Sequence, residues 1–153
     1  MQSQSNKVIL LVEDNPNDEE LTRLAFEQNH ITNPMMVAHD GAEALDYLFG
    51  TGGYGGRDIN DLPQLVVLDL KLPKVSGLQV LQAIREHEKT RYIPIVILTS
   101  SKEDEDIIAA YNLGTNAYVQ KPVDFLQFTS AVKQLGMFWL LLNESPSRQV
   151  GQF

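Results

Sequence analysis

The chain has 153 residues and no cysteine, with 43% hydrophobic and 21% charged residues and a formal net charge of −8 at pH 7. This length and composition fit one globular domain and exclude two full catalytic domains, a disordered chain, a disulfide framework and a thiolate metal site. The acidic excess argues against a nucleic-acid-binding face, which would need Lys and Arg, and no apolar run reaches the roughly 18 residues of a membrane span.

Five short apolar runs alternate with longer segments of helical period along the chain. The predicted strands are Lys7–Val12, Met35–Ala38, Leu65–Leu68, Pro94–Thr99 and Ala117–Val119. The predicted helices are Pro16–Gln28, Ala42–Phe49, Leu78–Glu86, Glu103–Leu113 and Asp124 to about Leu142. This alternation predicts an α/β fold, a doubly wound five-stranded parallel sheet of flavodoxin-like order 2-1-3-4-5 with helices on both faces.

Residues 50–63 interrupt this pattern, because they are rich in glycine and have no apolar period. The segment matches neither of the common glycine motifs that cradle phosphates, and no strand directly precedes it. We therefore expect a long, mobile surface loop, with contact to a partner as the alternative.

Polar residues stand at the ends of four of the five predicted strands. Glu13 and Asp14 follow the first strand and Asp69 follows the third, while Thr99 ends the fourth and Lys121 follows the fifth. Because the carboxyl ends of parallel strands meet at one edge of a sheet, we expect these side chains to converge. Crowded carboxylates repel one another, and either a bound hard cation or a raised carboxyl pKa relieves that repulsion.

An oxygen-only ligand set favours Mg²⁺, with Asp14 and Asp69 as ligands and Glu13 as a partner through water. A carboxylate beside Mg²⁺ can attack phosphorus to give an aspartyl phosphate, and Asp69 is the predicted nucleophile. Thr99 and Lys121 are suited to bind the other phosphoryl oxygens. Each residue alone also fits a plain structural role, such as a helix cap, a turn or a solvated charge, and it is the combination that predicts a site.

Four segments together resemble the receiver domains of two-component response regulators. They are Val8–Asn15, Val66–Gly77, Ile95–Ser100 and Ala117–Pro122. The resemblance extends from about Lys7 to Leu135 and implies that Asp69 accepts a phosphoryl group from a histidine kinase.

The same resemblance assigns roles to the other residues of the strand ends. It implies that Glu13, Asp14 and the backbone carbonyl of Lys71 organise Mg²⁺ together with Asp69, and that Lys121 contacts the phosphoryl group. It also implies a cis peptide between Lys121 and Pro122.

Thr99 and Tyr118 match the family's switch pair. A phosphoryl group brings a charge of about −1.5 to −2, which can draw the Thr99 hydroxyl and leave space for Tyr118 to turn inward. The alternative is that Tyr118 is a half-buried strand aromatic.

The residues after Lys121 are too few for a separate output domain, so we expect one receiver domain with its core at about 7–142 and a flexible tail at 143–153. The end of the last predicted helix is apolar on all sides, which predicts a homodimer interface, with folding of this end onto its own sheet as the alternative. The predicted interface residues are Phe125, Phe138, Trp139 and Leu141.

The loop at 50–63 and this apolar end narrow the resemblance to the single-domain response regulators that pair with cyanobacterial phytochromes. The resemblance then implies a phytochrome as the kinase, with an ordinary histidine kinase as the alternative donor, and a phosphoacceptor that catalyses only its own phosphorylation and slow dephosphorylation. We expect a cytoplasmic protein, since the first residues lack a signal-peptide pattern. The alternative function is a dimeric interaction module that uses the receiver fold without phosphorylation.

Overall fold

The computed structural model describes residues 7–121 and 125–136. The strands are β1 (Ile9–Val12), β2 (Met35–Ala38), β3 (Leu65–Leu68), β4 (Ile95–Thr99) and β5 (Ala117–Gln120). The helices are α1 (Pro16–Gln28), α2 (Gly41–Phe49), α3 (Gly77–Glu86), α4 (Asp104–Asn112) and α5 (Phe125–Gly136). Among the described residues, no helix combines the length and apolar character needed to cross a membrane.

The five strands form one parallel sheet in the order β2-β1-β3-β4-β5, which confirms the predicted fold. Val12 pairs with Leu68, and Thr99 pairs with Gln120, so the strands end level with their neighbours. The residues that follow these strands therefore leave the sheet at the same edge.

Each face of the sheet is covered by its own apolar cluster, because alternate strand residues point to opposite faces. Helices α2, α3 and α4 cover one face, and α1 and α5 cover the other. On the α1 and α5 face the buried residues include Ile9, Leu11, Ala25, Phe26, Val67, Val96, Leu98, Phe128 and Val132. Burial on both faces explains why β1, β3 and β4 read as continuous apolar runs.

Local signals fix the starts of two helices next to the strand ends. The Asn15 side chain accepts a hydrogen bond of 2.8 Å from the backbone N–H of Asn17, and Pro16 is the first residue of α1, as predicted. At the start of α3, a Cβ on Gly77 would lie 2.6 Å from Leu70 Cα. Only glycine therefore lets α3 close against the segment that follows β3.

Residues 50–63 pack along α2, which the sequence did not predict. A single 3-10 turn spans Gly52–Tyr54, and its tyrosine hydroxyl donates a 2.7 Å hydrogen bond to Glu43. The Arg57 guanidinium lies 4.1 Å from the ring centroid of Tyr47 and donates to the Tyr47 carbonyl. Most of the segment is exposed, as expected of a surface loop, and it is also held against α2 at several points.

Candidate functional site

The predicted site residues meet at the carboxyl edge of the sheet because of hydrogen bonds between neighbouring strand ends. The backbone N–H of Asp69 donates to the Val12 carbonyl at 3.1 Å, which sets Asp69 beside the end of β1. The backbone N–H of Lys121 donates to the Thr99 carbonyl at 2.7 Å, which does the same for β4 and β5.

Three carboxylates form a group that could hold a metal ion. Each of Glu13, Asp14 and Asp69 offers one oxygen, and these oxygens lie within 4.8 Å of one another. Glu13 is 2% exposed and Asp69 is 7% exposed, whereas Asp14 is exposed. The group is thus accessible from one side, and Glu13 is placed for direct coordination as well as for the water-mediated contact that we expected.

Both oxygens of the Asp69 carboxylate are held by donors. Oδ1 accepts from the Thr99 hydroxyl at 2.8 Å and from the Lys71 backbone N–H at 3.3 Å. Oδ2 accepts from the Lys121 ammonium at 3.0 Å. These contacts fix the orientation of the carboxylate and place a positive charge beside it.

The Lys121 ammonium contacts three carboxylates, and one of them was not predicted. It lies 2.7 Å from Glu13 Oε1, 2.8 Å from Asp18 Oδ2 and 3.0 Å from Asp69 Oδ2. Its three N–H donors are therefore matched by three acceptors. Asp18 lies in the first turn of α1, where a carboxylate normally complements the helix dipole. Nothing in its residue type or position therefore indicated a contact with Lys121.

Burial and charge shift the pKa values of two site residues. Burial raises the pKa of Glu13 to about 7, against the opposing effect of its contact with Lys121. Burial alone would lower the pKa of Lys121, but hydrogen bonds to Asp18 and Glu13 raise it above its usual range. The ammonium thus stays charged while it links the carboxylates.

The predicted switch residues lie on adjacent strands. Thr99 is fully buried and faces Asp69, while Tyr118 is partly buried and packs against the cluster under α2, α3 and α4. The Tyr118 hydroxyl donates a 3.1 Å hydrogen bond to the Ser101 carbonyl, and the Ser101 hydroxyl donates to Asp106 at 2.6 Å. The loop after β4 is therefore connected to both Tyr118 and α4.

Several predictions about individual residues are not settled by these contacts. The Lys71 ammonium lies 3.9 Å from Glu103, and Lys71 carbonyl coordination remains a prediction. Phe125 is half-buried and packs against the cluster between the sheet and α5, which leaves less of it for a dimer interface. The remaining predicted positions lie outside the described residues: Pro122 of the cis peptide, and Phe138, Trp139 and Leu141 of the interface.

The sequence and fold match known proteins over most of the chain. The profile of the response regulator receiver domain matches residues 9–133. The probable methanogenesis regulatory protein FilR2 of Methanothrix harundinacea is 43% identical over 139 residues, which cover 91% of this chain and 87% of FilR2.

Solved structures share the fold as well, among them those of three response regulators. The phosphorylated cyanobacterial phytochrome response regulator RcpA has a TM-score of 0.84 and 35% identity, covering 92% of this chain and 99% of RcpA. The Mn²⁺-bound form of response regulator Rcp1, a Synechocystis protein, has a TM-score of 0.83 and 34% identity, with coverages of 92% and 99%. The bacteriophytochrome response regulator AtBRR has a TM-score of 0.72 and 55% identity, with coverages of 91% and 99%.

The residues that the family model matches include all five strands and the acidic group at the carboxyl edge of the sheet. The chain belongs to the response regulator receiver domain family.

Proposed function

We propose that this chain is a signalling switch in which Asp69 accepts a phosphoryl group from a histidine kinase. The observation that supports this most directly is the setting of Asp69, whose two oxygens are held by Thr99 and Lys121 next to Glu13 and Asp14. A carboxylate fixed in this way is suited to attack phosphorus, and the neighbouring ammonium and hydroxyl are suited to stabilise the charge that develops there.

The proposed step is a transfer between two side chains. One Asp69 oxygen forms a bond to the phosphorus of a phosphohistidine as the P–N bond breaks, and the electron pair of that bond returns to the imidazole nitrogen, which takes up a proton. The product is an acyl phosphate on Asp69. Lys121 and Thr99 supply hydrogen bonds to the phosphoryl oxygens, because their donors point to the same carboxylate. We infer that the protein catalyses only this transfer and the slow hydrolysis of the acyl phosphate, in which water attacks phosphorus, inorganic phosphate leaves and the Asp69 carboxylate is restored, without acting on another substrate.

The carboxylate group fits Mg²⁺ as the cofactor. Its ligand atoms are all oxygens and lie close enough together to share one ion, and the related Rcp1 has a Mn²⁺-bound form. When bound, the cation would offset the repulsion between the phosphoryl oxygens and the carboxylates of Glu13 and Asp14. This set of ligands is the reason to expect that phosphorylation requires a divalent cation.

We also propose that the kinase is a phytochrome. The support is that RcpA and AtBRR are both phytochrome response regulators, at 35% and 55% identity respectively. A histidine kinase takes its phosphoryl group from ATP, which is a cytoplasmic metabolite. We therefore propose that the phosphoryl transfer takes place in the cytoplasm. We propose further that the protein forms a homodimer through its C-terminal end and that it binds neither nucleic acid nor a membrane.

Intact-mass spectrometry tests the phosphoacceptor role. We expect one added phosphoryl group after incubation with acetyl phosphate and Mg²⁺, and none with Asp69→Asn or with a chelator. Asp104→Asn, which changes an exposed carboxylate on α4, is the matched control and should still be phosphorylated. Equal phosphorylation of Asp69→Asn would show that another residue is the acceptor, and no adduct under any condition would favour the interaction module.

A further inference from the structure

One carboxylate partner of Lys121 lies outside the candidate metal group. Glu13 and Asp69 belong to that group together with Asp14, whereas Asp18 does not. Yet the Asp18 carboxylate lies as close to the ammonium as the other two, at 2.8 Å. A divalent cation bound by this group would be coordinated by Glu13 and Asp69, whereas the Asp18 carboxylate would still pair with Lys121 alone.

Hydrogen bonds in the first turn of α1 hold Asp18 next to Lys121. Its backbone N–H donates to the Asn15 side chain at 3.2 Å, and its carbonyl accepts from the Thr22 hydroxyl at 2.8 Å. The Asp18 side chain is 33% exposed, while that of Lys121 is 11% exposed. The Lys121 ammonium is thus buried, and the Asp18 carboxylate that contacts it lies closer to solvent and is fixed on α1.

We propose that Asp18 is a positioning residue that holds the Lys121 ammonium beside Asp69 during phosphoryl transfer. A divalent cation bound by the carboxylates would repel the ammonium and would compete with it for the oxygens of Glu13 and Asp69. Asp18 offsets that repulsion and keeps the ammonium where it can donate to a phosphoryl oxygen. The inference rests on the proposed phosphorylation of Asp69 and adds a residue that the receiver-domain resemblance did not assign.

The test compares three variants on the same helix. Phosphorylation by acetyl phosphate is followed by intact mass over a range of Mg²⁺ concentrations for Asp18→Asn, Asp18→Glu and Glu20→Gln. Glu20 is exposed, so Glu20→Gln removes the same charge from α1 without touching Lys121. Thermal unfolding followed by circular dichroism confirms that each variant is folded.

We expect Asp18→Asn to lower the rate constant of phosphorylation by about tenfold, because a misplaced group near the reacting atoms loses much of its effect. The loss should persist at saturating Mg²⁺, Asp18→Glu should recover part of the rate, and Glu20→Gln should match the wild type. A wild-type rate for Asp18→Asn, or its full recovery at high Mg²⁺, would overturn the inference, since the latter would mean that Asp18 acts only through metal affinity.

A double variant shows whether Asp18 acts through Lys121. Once Lys121→Met has removed the ammonium, adding Asp18→Asn should not lower the residual rate further. A further tenfold loss in the double variant would contradict the positioning role. Absence of phosphorylation in the wild type would instead contradict the proposed function, so the two failures are distinguishable.

Discussion

The Thr99 hydroxyl donates a 2.8 Å hydrogen bond to Oδ1 of Asp69, and both residues are buried. The bond joins the ends of two neighbouring strands, β3 and β4. It orients the proposed nucleophile and leaves one hydroxyl close to where a phosphoryl oxygen would lie.

Removing this hydroxyl should slow phosphorylation more than it affects folding. We expect Thr99→Val to lower the rate of phosphorylation by acetyl phosphate by about tenfold or more, since a donor to the developing charge is lost. Thr99→Ser keeps the hydroxyl and should stay close to the wild-type rate. Equal rates for Thr99→Val and the wild type would remove Thr99 from the chemistry.

Asp14 should determine how tightly the site binds a divalent cation. It is the exposed member of the carboxylate group, so Asp14→Asn removes a ligand charge without disturbing the core. We expect Mg²⁺ affinity, measured by isothermal titration calorimetry, to fall by at least about tenfold. Asp104→Asn controls for the loss of one surface carboxylate, and an equal loss of affinity in both variants would indicate only a general charge effect.

Glu13 should make stability depend on pH when a chelator is present. Burial raises its pKa from an ordinary 4.5 to about 7, so between these values the folded chain keeps a proton that the unfolded chain has released. The free energy of unfolding should therefore fall as pH rises from 5 to 7 and level off above 7. Urea unfolding in EDTA checks this, with Glu13→Gln as the variant that cannot titrate. Parallel pH curves for the two proteins would show that another group is responsible.

The sequence predicted the sheet and most of the site because both depend on local signals. Apolar runs such as Leu65–Leu68 identify buried strands, and polar residues directly after them, such as Asp69, must emerge at the carboxyl edge. This rule alone predicts that the acidic group, Thr99 and Lys121 lie together at that edge.

Two features could not be predicted from the sequence, each for its own physical reason. The contact of Asp18 with Lys121 joins residues that are 103 positions apart, and an acid in a first helical turn has a sufficient local explanation. The segment at 50–63 is held by Arg57, whose acceptors are mainly backbone carbonyls. Backbone carbonyls are present at every residue, so no side-chain pattern marks those that an arginine will meet.

Arg57 should be the main anchor of this glycine-rich segment. Its guanidinium donates to the carbonyls of Tyr47, Leu48 and Asp61 and lies over the Tyr47 ring. We expect Arg57→Ala to lower the free energy of unfolding by about 2 kcal/mol, from lost charged hydrogen bonds and a cation–π contact. Urea unfolding measures the loss, and amide hydrogen exchange should show faster exchange confined to residues 50–63.

The control is Arg91→Ala, because the Arg91 guanidinium lies farther from an aromatic ring, 5.5 Å from the centroid of Tyr92, on an exposed part of the chain. Arg91→Ala should change stability by less than about 0.5 kcal/mol. The phosphorylation rate of Arg57→Ala should equal that of the wild type, since the anchored segment packs on α2 and does not contact Asp69. Unchanged exchange at 50–63 in Arg57→Ala would mean that the Tyr54 contact with Glu43 holds the segment without the arginine.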